Sequence, residues 1–172
     1  MFNLKKLAFG AALLAASAVC FAAPKVEIVT SEGNIVVNLN EKAAPTTVAN
    51  FVKYANEGFY NGTIFHRVIN NFMIQGGGFD RNLHQKSTHA PIKLEDKNGL
   101  KNTVGTIAMA RTNNPDSATS QFFINLKDND FLNGTSTKDG YAVFGEVVSG
   151  MDVVRKIGRA PTGSKGFMDD VP

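Results

Sequence analysis

The sequence predicts a mainly β domain, an antiparallel barrel that is closed or nearly closed and is capped by two α-helices. Short β-branched or aromatic runs recur along the chain, and turn dipeptides such as Asn-Gly and Asp-Gly separate several of them. Only two stretches show helical periodicity, one near each end of the folding part of the chain. The 172 residues contain no internal repeat, and this length allows one ordinary domain. Many short strands with few helices are typical of a barrel.

The first 22 residues have the pattern of a cleavable export signal. Lys5 and Lys6 precede an apolar run at 7–19, and small residues follow it. The run is shorter than the roughly 20 residues that a membrane-spanning helix needs. We therefore expect cleavage before Ala23, a domain that covers 23–172, and a periplasmic location. The alternative is a lipoprotein signal that uses Cys20, but residues 17–19 match that motif poorly.

Removal of this segment changes the charge and the cysteine content of the chain. Lys5 and Lys6 leave with it, so the net charge falls from +3 to +1, and the single cysteine leaves as well. The remaining charges alternate in sign along the chain, which argues against a nucleic-acid or anionic-membrane partner. The sequence contains no cluster with metal-ligand spacing, so neither a metal nor another cofactor is expected.

The individual elements follow from local patterns. Two β-branched runs at 26–30 and 35–39 flank a turn-forming segment and predict a hairpin. A helix is predicted from Pro45 to just before Gly58, because apolar residues recur between them at helical spacing. A second, short helix is predicted to end at Gly158. The other strands are predicted from apolar runs at 63–69, 72–75, 106–110, 121–125 and 141–148.

Three further motifs receive a structural interpretation. The triple glycine at 76–78 precedes neither a Lys-Ser/Thr pair nor a helical pattern, so it predicts a bend at a strand end rather than a phosphate cradle. His84 and His89 lack the spacing of metal ligands and are interpreted as solvated loop residues. No serine lies in a Gly-x-Ser-x-Gly elbow, so a hydrolase has little support.

Two segments carry the residues of chemical interest. Arg67 lies in an apolar run, where strand alternation places it on the same face as Phe65 and Ile69. A cation in such a strand is costly unless it is paired or lines a cleft. Two interpretations therefore stay open, a rim arginine covered by a carboxylate and a functional arginine. The second segment, at 105–125, combines small polar residues with adjacent aromatic ones, as in an apolar pocket with a hydrogen-bonding rim.

Both segments closely resemble the cyclophilin family of peptidyl-prolyl cis-trans isomerases, and in particular its exported bacterial members. The resemblance rests on Phe-His-Arg-Val-Ile at 65–69, Phe-Met-Ile-Gln-Gly-Gly at 72–77 and Ser-Gln-Phe-Phe-Ile at 120–124. It extends from about 26 to 172. It implies an eight-stranded antiparallel barrel capped by two helices, with the site on its outer surface. It also implies rotation of X-Pro bonds in unfolded or extended polypeptides, to assist their folding. We expect a monomer that needs no cofactor.

The resemblance also implies roles for individual residues. Arg67 matches the family's main catalytic group, and the proline ring is expected among Phe72, Met73, Phe123 and Leu132. The catalytic set that it implies is Arg67, Phe72, Gln75 and Phe123. The substrate-binding set that it implies is Met73, Ala110, Arg111, Thr112, Gln121, Phe131, Leu132 and Tyr141.

The sequence departs from the commonest family pattern at several places. Phe131 stands where many members have tryptophan, and without an indole donor we do not expect tight binding of cyclosporin. Tyr141 replaces a histidine but keeps an aromatic wall, and Arg111 replaces an asparagine where the family uses mainly backbone groups. The sequence also stops at Pro172, before the final apolar strand that closes the barrel in the family. The first strand is then expected to have an unpaired edge.

One other class of function stays open beside the isomerase. A chaperone module could hold proline-containing peptides in the same pocket without significant catalysis. Arg67 and Gln75 argue against it, because a proline clamp needs only the apolar wall. A hydrolase or a metal enzyme is the weaker alternative, since the sequence offers neither a nucleophile elbow nor a ligand cluster.

Overall fold

The computed structural model describes residues 23–172, and the predicted export signal at 1–22 lies outside the described residues. Residues 23–172 form nine strands, two α-helices and one short 3-10 helix, Asp130–Leu132. The helices are α1 (Pro45–Asn56) and α2 (Met151–Gly158). The strands are β1 (Lys25–Thr30), β2 (Gly33–Leu39), β3 (Arg67–Ile69), β4 (Met73–Gly76), β5 (Thr106–Met109), β6 (Phe122–Asn125), β7 (Val143–Ser149), β8 (Gly163–Lys165) and β9 (Met168–Val171).

Seven of these strands form one antiparallel sheet in the order β1-β2-β7-β5-β6-β4-β3, and β8 and β9 form a separate hairpin. Among the described residues, β1 pairs only with β2 and β3 only with β4, so the curled sheet is open between these two edges. A groove of about 1020 Å³ follows the opening, lined by Val26 and Ile28 of β1 and by Phe65. The prediction of a mainly β, antiparallel fold with two helices is confirmed.

The main hydrophobic core lies inside the curled sheet. Residues directly opposite each other in neighbouring strands share a face. Val68, Ile74, Ile124 and Ile107 form such a row across β3, β4, β6 and β5, and each is at most 1% exposed. Helix α1 buries Phe51 in the same cluster. The neighbouring position in each of these strands therefore points to the outer face, where the candidate site lies.

The element boundaries agree with most of the sequence signals. Helix α1 begins at Pro45 and ends two residues before Gly58, which has a positive φ of 68°. Strand β4 ends at Gly76, and Gly77 adopts a φ of 84°, which confirms the predicted bend. Across residues 23–172, no helix has both the length and the apolar character of a membrane span.

Two strand predictions need correction. The run at 63–69 is a strand only from Arg67 onward, because pairing with β4 begins there. Alternation therefore does not extend back to Phe65, which packs against the main core beside Phe122 instead of sharing a face with Arg67. The run at 141–148 is a strand only from Val143, which leaves Tyr141 in the preceding loop. The hairpin of β8 and β9 was not predicted from the sequence.

Candidate active site

A second row of register partners lies on the outer face of the sheet. Arg67 on β3 is paired with Gln75 on β4, Gln75 with Phe123 on β6, and Phe123 with Ala108 on β5. Since opposite residues share a face, three of the four predicted catalytic residues lie side by side. The fourth, Phe72, directly precedes β4. The sheet thus brings a cation, an amide and an aromatic ring onto one surface.

An apolar cluster that is distinct from the main core borders this row. Its buried members are Met73, Ala108, Phe123, Leu132 and Val143, and its partly buried members are Ile69, Phe72, Leu100, Ala110 and Tyr141. An apolar depression with polar groups on one side is the usual form of a small ligand site. The structure therefore brings together the residues that the resemblance assigned to the proline ring.

Aromatic rings form the walls of this pocket. Phe72 stacks against Phe131, with the ring centroids 5.6 Å apart and the planes inclined by 28°. Tyr141 lies edge-on to Phe123 at 5.8 Å. Phe131 is 59% exposed, a high value for a large apolar side chain, so its ring is open to a ligand. The pocket has a buried floor and a solvent-exposed aromatic rim.

Arg67 and Gln75 form the polar side of the pocket. The Nε2 amide of Gln75 donates a hydrogen bond of 3.0 Å to Oε1 of Gln121. The Arg67 side chain is 44% exposed, and its Nε lies 4.0 Å from Oδ2 of Asp170 in β9. A carboxylate does lie near the guanidinium, as the interpretation of a rim arginine predicts. The functional interpretation of Arg67 stays a prediction.

The loop after β5 borders the other side of the row. The Ala110 amide donates to the Gln121 carbonyl at 3.0 Å. The Arg111 guanidinium lies 4.5 Å from the centre of the Tyr141 ring, and its Nε donates to the Gly140 carbonyl at 3.0 Å. The Thr112 amide donates to the Ser117 hydroxyl at 2.9 Å. The Arg111 side chain is thus used to stiffen an aromatic wall, which the sequence alone did not predict.

His66 is buried beside the catalytic row. It is only 6% exposed and packs against Phe79, with the ring centroids 4.6 Å apart. Burial, together with the adjacent Arg67 charge, lowers the pKa of His66 from 6.5 to about 4, so the ring is neutral at neutral pH. Its Nδ1 has no hydrogen-bond partner among the described residues. Strand alternation in the sequence predicts only that His66 lies on the face opposite Arg67, and it does not predict this burial.

The other two histidines lie away from the row. His84 and His89 are exposed and lie beside Asp80 and Glu57, respectively, in agreement with their interpretation as loop residues. Among residues 23–172, no three or more His, Cys, Asp or Glu side chains are grouped as in a metal site.

Comparison with known proteins decides the family. The family described as "Cyclophilin type peptidyl-prolyl cis-trans isomerase/CLD" matches residues 25–172. The chain belongs to the cyclophilin family. Its predicted class of activity is confirmed as well, because relatives at 56–61% identity are named peptidyl-prolyl cis-trans isomerases.

Individual relatives cover most of this cyclophilin. A peptidyl-prolyl cis-trans isomerase of Acinetobacter baylyi is 57% identical over 98% of this chain and 90% of its own length. Peptidyl-prolyl cis-trans isomerase B of Escherichia coli is 61% identical over 83% of this chain and 89% of its own length. Among solved structures, a Cryptosporidium parvum cyclophilin in the presence of the dipeptide Ala-Pro is similar, with a TM-score of 0.71 and 26% identity. That match covers 87% of this chain and 91% of the other.

Proposed function

We propose that the outer apolar cluster binds the proline ring of a polypeptide and that Arg67 accelerates rotation of the preceding peptide bond. The observation that carries this proposal is the register row Arg67–Gln75–Phe123 beside a second apolar cluster outside the core. Met73, Phe123 and Leu132 are each at most 8% exposed and form a floor that can hold a ring.

The chemistry needs a donor but no nucleophile. Rotation of an X-Pro bond crosses a barrier of ~18–20 kcal/mol because resonance gives the C–N bond partial double-bond character. In the twisted state the nitrogen lone pair leaves conjugation and becomes a better acceptor. Arg67 would donate a hydrogen bond to it, an interaction that is largely absent in the planar ground state. A hydrogen bond with a charged donor contributes about 1.5–3 kcal/mol, equivalent to roughly ten- to hundredfold in rate.

The polypeptide would cross the site between the two polar borders. Ala110, Arg111, Thr112 and Gln121 would contact residues before the proline. The exposed Phe131 ring and the partly buried Tyr141 ring would flank the pocket. The Ala-Pro dipeptide named with the Cryptosporidium parvum relative supports a proline ligand here. The substrates would be proline-containing unfolded or extended polypeptides, without a cofactor.

The decisive experiment is Arg67→Ala, with Arg159→Ala at the end of α2 as a control that removes the same charge elsewhere. We expect kcat for a proline peptide to fall about ten- to hundredfold in Arg67→Ala, and the control to match the parent protein. The melting temperature should hardly change, since an exposed ion pair contributes about 0–1 kcal/mol. Near-full activity of a folded Arg67→Ala would refute the role of Arg67. Aggregation suppression without isomerisation by the parent protein would favour the chaperone alternative.

We also propose that residues 1–22 export the chain to the periplasm and are removed before Ala23. The mature domain, 23–172, would then act as a monomer on exported polypeptides. The support is the order of basic, apolar and small residues in the sequence. Mass spectrometry of the protein from a periplasmic fraction should give Ala23 as the first residue. Recovery of the full-length chain from the cytoplasm alone would contradict this assignment.

A further proposal concerns the open edge of the sheet. The resemblance implies a final strand beside β1. Among the described residues, β1 pairs only with β2, and the groove beside β1 is lined in part by the apolar side chains of Val26, Ile28 and Phe65. We propose that an apolar strand following Pro172 fits there. Extension of the chain by such a strand should raise the melting temperature. An extended chain with an unchanged melting temperature would show that the strand does not occupy the groove.

A further inference from the structure

Three buried asparagines lie behind the pocket and carry out no role assigned so far. Asn102, Asn125 and Asn129 are 1%, 0% and 0% exposed, respectively. They come from different segments, because Asn102 lies before β5, Asn125 ends β6 and Asn129 precedes the 3-10 helix. A polar group that is buried without a hydrogen bond costs about 1–3 kcal/mol. Among the described residues, every side-chain amide atom of the three asparagines except Oδ1 of Asn129 has a partner.

The three side chains form a continuous hydrogen-bonded chain. The Asn129 Nδ2 amide donates to Oδ1 of Asn125 at 2.8 Å. The Asn125 Nδ2 amide then donates to Oδ1 of Asn102 at 3.1 Å and to the Thr106 hydroxyl at 2.9 Å. Every link is oriented in the same sense, so that the amides polarise one another in a low-dielectric setting.

Both ends of this asparagine chain reach the backbone of the pocket walls. At one end, Nδ2 of Asn129 donates to the Phe72 carbonyl at 3.0 Å. At the other end, Nδ2 of Asn102 lies 3.2 Å from Oδ1 of Asn133 and 3.3 Å from each of the Leu132 and Tyr141 carbonyls, so its two N–H groups are shared among three acceptors. The asparagine chain therefore links the backbone of Phe72 with the backbones of Leu132 and Tyr141.

The asparagine chain matters because of where its three backbone partners, Phe72, Leu132 and Tyr141, lie in the fold. Phe72 lies in the turn before β4, Leu132 in the 3-10 helix and Tyr141 in the loop before β7. None of them lies in a sheet strand. Backbone hydrogen bonds join Leu126 to the Phe72 carbonyl and Tyr141 to the Leu132 carbonyl, but these bonds do not connect Phe72 with Leu132 or Tyr141. We propose that Asn102, Asn125 and Asn129 are positioning residues that hold the walls of the proline pocket at a fixed separation.

The proposal predicts a specific kinetic signature. Pocket walls contact the proline ring in the ground state and in the twisted state alike, and the loss of such uniform binding raises KM while leaving kcat nearly unchanged. We expect Asn129→Ala and Asn102→Ala to raise KM for a proline peptide about three- to tenfold, the range of one net hydrogen bond. Because the two residues act through one chain, the double variant should raise KM by less than the product of the single effects.

A matched control separates positioning from stability. The Thr47 hydroxyl, 1% exposed at the start of α1, donates to Oε1 of Glu95 at 2.7 Å, away from the pocket cluster. Thr47→Val should lower the melting temperature and leave KM unchanged. All variants are assayed well below their melting temperatures. If Asn102→Ala does not fold, Asn102→Ser replaces it, since serine lacks the Nδ2 donor and breaks the same links to Leu132 and Tyr141.

NMR gives a second, independent readout. Asn129 does not contact Tyr141 through a hydrogen bond, but the Tyr141 carbonyl accepts a hydrogen bond from Asn102 at the other end of the asparagine chain. The carbonyl of Tyr141 belongs to the peptide unit of the Ala142 amide, so Asn129→Ala should shift the Ala142 amide resonance, whereas Thr47→Val should not.

The positioning role of the asparagines rests on the proposed proline pocket. The experimental outcomes distinguish a failure of the positioning role from a failure of the pocket. An unchanged KM in the asparagine variants, beside a large loss of activity in Phe123→Ala, would overturn the positioning role alone. Full activity in Phe123→Ala would overturn the pocket itself. KM values that simply follow the melting temperature, Thr47→Val included, would show that the asparagines only stabilise the fold.

Discussion

His66 leads to a prediction about stability and pH that can be worked out from its surroundings. The ring is 6% exposed, packs on Phe79 and lies next to the Arg67 charge. Burial first, and the adjacent cation second, lower its pKa from 6.5 to about 4. The unfolded chain therefore takes up a proton as the pH falls below 6.5, whereas the folded protein does not until about pH 4. The contribution of His66 to the free energy of unfolding is therefore complete above pH 6.5, and it is lost as the pH falls from 6.5 to about 4.

The size of the effect follows from the two pKa values. Linkage gives a loss of about 2 kcal/mol between pH 7 and pH 5 that is due to His66 alone. For a domain of this size, ~1 kcal/mol corresponds to about 2–4 °C in melting temperature, so the expected share is roughly 4–8 °C. Carboxylates also titrate in acid, so the comparison must be made against a variant without this imidazole.

The assay is thermal unfolding at pH 7 and pH 5 for the parent protein, His66→Gln and His84→Gln. His66→Gln should show the smaller drop in melting temperature on acidification, by about 4–8 °C. His84, whose side chain is 79% exposed, provides the matched control and should keep the parent's drop. Equal drops in the parent and in His66→Gln would refute the argument that burial holds the folded ring neutral.

Three further predictions concern the site. A Cβ at Gly78 would lie 2.5 Å from Cγ of Gln121. Gly78→Ala should therefore displace that side chain and lower kcat/KM about two- to tenfold at an almost constant melting temperature. An unchanged kcat/KM would show that the hydrogen-bonded pair of Gln75 and Gln121 is dispensable. Asp170→Asn should lower kcat/KM about two- to fivefold, because it frees the Arg67 guanidinium. The neighbouring Asp169 accepts a hydrogen bond from Ser164 instead, so Asp169→Asn should leave kcat/KM unchanged. Equal effects of the two variants would contradict an orienting role of Asp170. Phe131 offers no indole donor, so cyclosporin should inhibit weakly, and inhibition at nanomolar concentrations would contradict this.

The site residues predicted by resemblance come together because their register is set by the sheet. Arg67 and Gln75 lie on consecutive strands, β3 and β4, whereas Phe123 comes from a distant part of the sequence and reaches them only through the pairing of β6 with β4. Local alternation identified Arg67 as unusual, yet it also placed Phe65 beside it, which is wrong because β3 begins only at Arg67. Period-two patterns tell which residues share a face, but not where pairing begins.

The residues that sequence reasoning missed are polar groups whose roles depend on distant segments. Asn102, Asn125 and Asn129 look like ordinary loop and strand-end residues, and an asparagine favours such places on local grounds alone. Only the meeting of β5, β6 and the 3-10 helix shows that all three are buried and linked. The hairpin that brings Asp170 to Arg67 was likewise invisible, because its strands are short and mostly exposed.

By itself, the sequence determined the secondary-structure class, the start of α1, the ends of both helices, the turn glycines and the resemblance to the family. These features depend on local spacing and on motifs that a chain carries whatever its packing. The tertiary structure decided which polar groups are buried, which carboxylate lies beside Arg67, and that the apolar cluster of the site is separate from the core. Such facts depend on register and on contacts between segments tens of residues apart, and local pattern does not encode them.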